Sequence, residues 1–124
     1  MLIDTSAWVE YFRATEKGEK VKQIIKTKGQ LFTNPLTIAE LTQWADKNLL
    51  DTKSILAFVY ASSEILELSP DLLEISGKRY NLLRPVKQKI GMIDVIIYVS
   101  AVTYGFSLLT SDSDFLGLPF VEML

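Results

Sequence analysis

The sequence predicts an α/β protein, folded as a three-layer α/β/α sandwich around a mainly parallel sheet. Three observations carry that prediction. The run Ser107-Leu-Leu-Thr110 is a short apolar strand bounded by Gly105 and by Ser111-Asp112, the pattern of a core strand. The segment Ile93 to Tyr104 is apolar nearly all the way round, as a helix packed inside a domain must be. Strand-like and helix-like segments follow one another in the order β α α β α α β α α β β, which covers both faces of one sheet with helices.

Met1 to Ile3 reads as the first strand and runs straight into Asp4. Thr5 or Ser6 then caps a helix to about Arg13, in which Trp8, Val9, Tyr11 and Phe12 form an unusually aromatic face. Such a stripe is ordinarily core; its other reading is a surface that a partner covers. From Glu16 to Lys28 a second helix sets Val21, Ile24 and Ile25 on one side, with Lys17, Lys20, Lys22, Lys26 and Lys28 around the rest and Gly29 at its end. Those lysines read as a solvated face. Gln30 to Thr33 is the second strand. Asn34-Pro35-Leu36 leads into a helix from Thr37 to about Asn48, where Thr37-Ile-Ala-Glu40 matches a capping box, with Glu40 reaching back to the Thr37 N–H. Asp51 to Ser62 is a further helix, and Glu64 to Leu68 alternates as the third strand. Ser69-Pro70 opens a helix to about Leu83, and Arg84 to Gly91 is a basic connector. The helix Ile93 to Tyr104, the strand Ser107 to Thr110 and a last strand, Phe120 to Met123, complete the chain.

At 124 residues this is one domain, able to bury roughly two thirds of the surface its unfolded form exposes. A hydrophobic content of 48% with 23% charged residues is that of a soluble globular protein. No apolar run reaches the ~18 residues of a membrane span, and Met1 already belongs to the first strand, so a cytoplasmic protein is expected. The absences are more informative. With no Cys and no His there is no disulfide, no thiol nucleophile, no imidazole base and no thiolate or imidazole metal ligand. Any metal must be held by oxygen, which suits Mg²⁺, Mn²⁺ or Ca²⁺. The net charge of -2 does not announce a nucleic-acid binder, yet the 13 basic residues are clustered, and distribution decides more than the sum.

Asp94 is the acid hardest to explain as decoration, since it opens a helix that must be largely buried. A first-turn carboxylate is stabilised by the helix dipole by only ~0.3–1 kcal/mol. Taken singly, Glu40 is explained by its capping box, Asp4 by a helix cap or Asx-turn, and Asp112 and Asp114 by a turn before Phe115. Taken together, Asp4 and Asp112 at strand ends and Glu40 and Asp94 at helix starts belong on one edge of a parallel sheet, where such sheets bind ligands. Carboxylates ~4 Å apart repel by about 4 kcal/mol per pair at an effective dielectric near 20, so the cluster calls for protons or cations. A divalent metal there would support phosphodiester hydrolysis without histidine.

These motifs resemble those of the PIN-domain ribonucleases, particularly the VapC-type toxins of prokaryotic toxin–antitoxin pairs. Leu2-Ile-Asp-Thr-Ser-Ala-Trp8 is similar to the family's opening, Ile38-Ala-Glu-Leu41 to its second acidic motif, Ile93-Asp-Val-Ile-Ile97 to its third, and Leu109-Thr-Ser-Asp-Ser-Asp-Phe115 to its fourth. Val95 stands where the family more often has Ala. The resemblance implies a five-stranded parallel sheet, with Asp4, Glu40, Asp94 and Asp112 as Mg²⁺-binding catalytic acids. It makes Asp114 an accessory acid, and Ser6 and Thr110 hydroxyls that orient water or carboxylates. It further implies RNA cleavage to 5′-phosphate and 3′-hydroxyl ends, a homodimer and a small cognate antitoxin.

The basic connector before Asp94 offers Arg84, Lys87 and Lys89 as RNA-phosphate contacts, or else as a solvated loop. Two other functions compete. A PIN-like fold kept only for binding protein or RNA is disfavoured by the intact acids. A phosphoacceptor receiver domain would need paired acids after the first strand and a late lysine, whereas only Asp4 follows that strand and no lysine follows Lys89.

Overall fold

Because successive side chains on a strand point to opposite faces, strands of two or three residues suffice to build two cores. β1 (Leu2–Ile3), β2 (Phe32–Thr33), β3 (Glu64–Ile65), β4 (Leu108–Thr110) and β5 (Val121–Met123) form one sheet in the order β3-β2-β1-β4-β5. Every neighbouring pair is parallel, with Leu2 level with Phe32 and Leu108, and Thr110 level with Met123. Leu2 and Leu108 join the core on one face with Leu72, Val95, Tyr98 and Phe115; Ile3 and Leu109 join the other with Trp8, Val21, Leu41 and Val59. The computed structural model describes all residues, Met1–Leu124.

The second of those cores lies beneath α1 (Thr5–Phe12), α2 (Glu16–Thr27), α3 (Pro35–Lys47) and α4 (Thr52–Ser62). The first lies beneath α5 (Pro70–Leu83) and α6 (Met92–Tyr104). The three-layer expectation is therefore met. Trp8 is fully buried, its indole N–H donates to Thr33 Oγ1 at 3.2 Å, and its ring stacks on Phe12 with centroids 6.0 Å apart. The aromatic face of α1 is thus anchored in the core at Trp8, with Tyr11 and Phe12 half-buried around it. α2 crosses α1 so closely that a Cβ on Gly18 would lie 2.0 Å from the Glu10 carbonyl oxygen, which only glycine permits.

Several expected boundaries are corrected. Asp4, not Thr5 or Ser6, caps α1. α3 begins two residues earlier than expected, with Asn34 as cap and Pro35 in the first turn, so the capping box at Thr37 and Glu40 does not form. The Asn34 side-chain oxygen takes the Leu36 N–H at 2.9 Å, leaving Thr37 inside the helix. The strands are shorter than expected, yet single backbone hydrogen bonds continue at their flanks: Leu31 O takes the Glu64 N–H at 2.9 Å and the Leu66 N–H reaches Thr33 O at 3.0 Å. α6 buries Val95 and Ile97 through Ala101, but its first turn exposes Met92 and Ile93.

A candidate metal centre at the sheet edge

From β1 the chain moves to β2 on one side, and from β4 to β5 on the other. The strand order therefore reverses between β1 and β4, and in open parallel sheets a crevice forms outside the carboxyl ends at such a point. Asp4 follows β1 and Asp112 follows β4, one on each side of that reversal. α3 brings Glu40 and α6 brings Asp94 to the same edge, where Asp4 and Asp112 raise the carboxyls of both. A buried amide ties the two helices together. The Asn34 side-chain N–H donates to Ser100 Oγ at 2.9 Å, and Ser100 Oγ donates to Ile96 O at 2.7 Å.

Each of the four acids is held through one oxygen. Asp4 Oδ2 accepts from Ser6 Oγ at 2.6 Å and Thr110 Oγ1 at 2.8 Å. Those hydroxyls are themselves aimed by backbone N–H groups, Ser111 to Ser6 Oγ at 3.0 Å and Asp112 to Thr110 Oγ1 at 2.9 Å. Glu40 Oε1 accepts from Thr5 Oγ1 at 2.5 Å, Asp94 Oδ2 from the Gly91 N–H at 2.9 Å, and Asp112 Oδ1 from the Asp114 N–H at 2.9 Å. The opposite oxygen of each carboxylate receives none of these bonds. Asp94, Asp112 and Asp114 each offer a carboxylate oxygen within 4.8 Å of the other two. Asp4 and Glu40 flank that trio without entering it.

The electrostatics are those of a site lacking a countercharge. Burial, the largest influence in each case, pushes the Asp4, Glu40 and Asp94 carboxyls above their ordinary range. Hydroxyl and backbone hydrogen bonds oppose it, and neighbouring carboxylates raise Glu40 and Asp94 further. The charges that act on Glu40 and Asp94 are those of other carboxylates. An all-oxygen, desolvated set of this kind fits a hard divalent cation.

The structure thus brings together Asp4, Glu40, Asp94, Asp112, Asp114, Ser6 and Thr110. The connector cations are engaged elsewhere: the Arg84 Nη1–H donates to Ile90 O at 3.1 Å with its guanidinium 5.6 Å from the Tyr80 ring centroid, and Lys87 Nζ donates to Leu116 O. Lys89 is exposed. Sequence reasoning missed Thr5, Thr37, Asn34 and Ser100. For Asn34 the Asn-Pro pair was a readable cap signal; for Thr5, Thr37 and Ser100 no local pattern existed, since their partners lie 32, 35 and 66 positions away.

A parallel sheet whose reversal point is lined by carboxylates defines a class of α/β proteins with an acidic crevice. Residues 1–121 match the family model of the PIN domain, and the chain belongs to that family. No curated protein sequence matches it. Among solved structures, a toxin–antitoxin complex from Klebsiella pneumoniae is similar at a TM-score of 0.78 and 22% identity, covering 98% of this chain and 95% of that one. VapC20 of Mycobacterium tuberculosis, described as a sarcin–ricin-loop-cleaving toxin, is similar at 0.77 and 17% identity, with 98% and 97% covered. VapBC2 of Rickettsia felis, bound to a promoter DNA fragment, follows at 0.74 and 18%, with 99% and 96% covered. At these identities the likeness is one of fold. No helix is long and apolar enough to cross a membrane.

Proposed function

We propose that this PIN-domain protein is a metal-dependent endoribonuclease, the toxin of a toxin–antitoxin pair, with Mg²⁺ as its ion and Mn²⁺ able to replace it. One observation carries the reading. Four carboxylates at the switch point are each fixed through one oxygen and leave the other without such a bond, and the charges that act on Glu40 and Asp94 are all other carboxylates. Asp4, Glu40, Asp94 and Asp112 would hold the ion, with Asp114 completing the tight trio. When bound, Mg²⁺ polarises a phosphoryl oxygen and lowers the pKa of an attacking water. Ser6 and Thr110 keep Asp4 in one orientation, as outer-shell partners do for metal ligands generally. Lys89, and Arg84 and Lys87 if released from their present partners, supply charge for substrate phosphates.

The toxin assignment is supported by family membership and by solved relatives described as toxin–antitoxin complexes. A cytoplasmic homodimer bound by a small antitoxin completes the reading. Cleavage-site mapping on total RNA, with Mg²⁺ and then with chelator, tests it. Discrete Mg²⁺-dependent cuts are expected; folded protein that cuts no RNA in either condition refutes it.

A further inference from the structure

We infer that Thr5 is a positioning residue, a clamp that holds the Glu40 carboxylate in the acidic crevice against the repulsion of its neighbours. This rests on the reading of Glu40 as a metal-binding acid. Thr5 is the first residue of α1, directly after Asp4, so a single strand end supplies one acid and the restraint on a second. Its hydroxyl lies 2.5 Å from Glu40 Oε1 and 3.0 Å from Thr37 Oγ1. A hydroxyl has one proton to give. The short bond to the carboxylate takes it, a length typical of charge-assisted O–H···O⁻ contacts. Thr37 is fully buried, and its Oγ1, 3.0 Å from Thr5 Oγ1, backs that hydroxyl from behind.

Why Glu40 needs a clamp follows from its surroundings. Asp4, Asp94 and Asp112 all repel it, and its three side-chain torsions would let the carboxylate swing towards solvent. The Thr5 hydroxyl donates the hydrogen bond that opposes that movement. Helix α1 does not require it, because Asp4 already caps the helix.

The test compares Thr5→Val, which keeps the shape and removes the hydroxyl, with Thr5→Ser, which restores it. Two readouts separate positioning from folding: the ¹³C signal of the Glu40 carboxyl in metal-free protein at fixed pH, and Mn²⁺ binding by titration. Thr5→Val is expected to move the Glu40 signal and weaken Mn²⁺ binding by about 10-fold, the lower end for loss of an outer-shell partner. Thr5→Ser should return both to parental values. Thr37→Val, which leaves Thr5 unanchored, should move the Glu40 signal part of the way, and serves if Thr5→Val fails to fold. Parental signal and parental Mn²⁺ affinity in folded Thr5→Val would overturn the clamp, as would a Thr5→Ser protein that behaves like Thr5→Val. A parent that binds no Mn²⁺ would instead overturn the reading of the site, since the metal-free Glu40 signal reports on the clamp by itself.

Discussion

Asp4 and Asp51 do the same local work and finish with opposite acidities. Each is the N-cap of a helix and each accepts hydrogen bonds from a serine just inside it, Ser6 for Asp4 and Ser54 for Asp51. Asp51 stands on the exposed α3–α4 turn and uses both oxygens on Ser54, at 3.2 Å to the N–H and 2.7 Å to the hydroxyl. Those bonds draw its carboxyl below the ordinary range. Asp4 stands at the reversal of the sheet, where burial outweighs its bonds from Ser6 and Thr110 and pushes it above that range. The cap motif is thus compatible with either outcome. What differs is that the sheet edge removes water and adds other acids, while leaving one oxygen of Asp4 uncommitted.

The largest effect expected from that difference is on catalysis. Glu40→Gln and Asp94→Asn remove charge while keeping an oxygen for the Thr5 hydroxyl and the Gly91 N–H. Both should fold and lose about 10²–10³-fold of Mg²⁺-dependent RNA cleavage, the scale for one electrostatic contact in a transition state. The double variant should cost much less than the product of the two, because groups acting as a unit are non-additive. Asp51→Ala should cleave at the parental rate, with a small loss of melting temperature only. Cleavage assays on all four proteins decide it, and full activity in folded Glu40→Gln would detach the second acidic motif from the site.

Next in size is the response to metal. A ligand that binds only the folded state at about 100 times its Kd adds ~2.7 kcal/mol, a shift of several degrees in a domain of this size. Millimolar Mg²⁺ should therefore raise the melting temperature of the parent, and raise that of Asp94→Asn far less. An unchanged melting curve for folded parent would count against a preformed site.

The pH dependence runs in opposite directions at the two caps. For Asp4, Glu40 and Asp94, whose carboxyls are raised above ordinary values of 3.8, 4.5 and 3.8, the folded state holds its protons more tightly than the unfolded chain. Their contribution to stability is fully present below those values and is lost as pH rises through the raised ones. Asp51, lowered from 3.8, contributes above that value and loses its contribution as pH falls. The metal-free Glu40→Gln protein should gain in melting temperature over the parent as pH rises from about 4 to about 7, and Mg²⁺ should abolish the gain. A difference independent of pH would mean that Glu40 is not strained in the folded protein.

The same contrast explains what was legible in the sequence. Strand ends carrying Asp4 and Asp112, and the apolar α6 opened by Asp94, are local patterns, so the α/β class and the acid edge are legible in the sequence alone. The start of α3 could not be read as easily, because two start signals lie three residues apart. Asn34-Pro35 competes with Thr37-Ile-Ala-Glu40, and the proline, fixed in φ and needing no N–H partner, takes the first turn. Glu40 stands out in the sequence as an acid at a helix start, yet its hydrogen-bond partner is Thr5 of α1 instead of the backbone of its own helix. Asp114 is likewise placed by the 3₁₀ turn Ser113–Phe115, which sets it beside Asp94, a proximity that exists only once α6 has packed. Contacts across more than thirty residues leave no periodic trace.

The smallest expected effect concerns charge of the opposite sign. Arg84, Lys87 and Lys89 share one connector, but the structure divides them, since Arg84 holds the Ile90 carbonyl and Lys87 the Leu116 carbonyl. Replacing either with Gln would release a protein contact as well as a charge, so a loss of RNA binding there would not by itself report phosphate contact. Lys89 is exposed and carries no such bond, which makes Lys89→Gln the clean test. One lost phosphate contact should lower the slope of log K against log salt by roughly 0.7–0.9 and weaken binding about equally across RNA sequences. Cleavage at saturating RNA should stay near parental, because the acids are untouched. A salt slope identical to the parent would remove Lys89 from the substrate path, leaving the connector as the support that delivers Asp94 to the crevice.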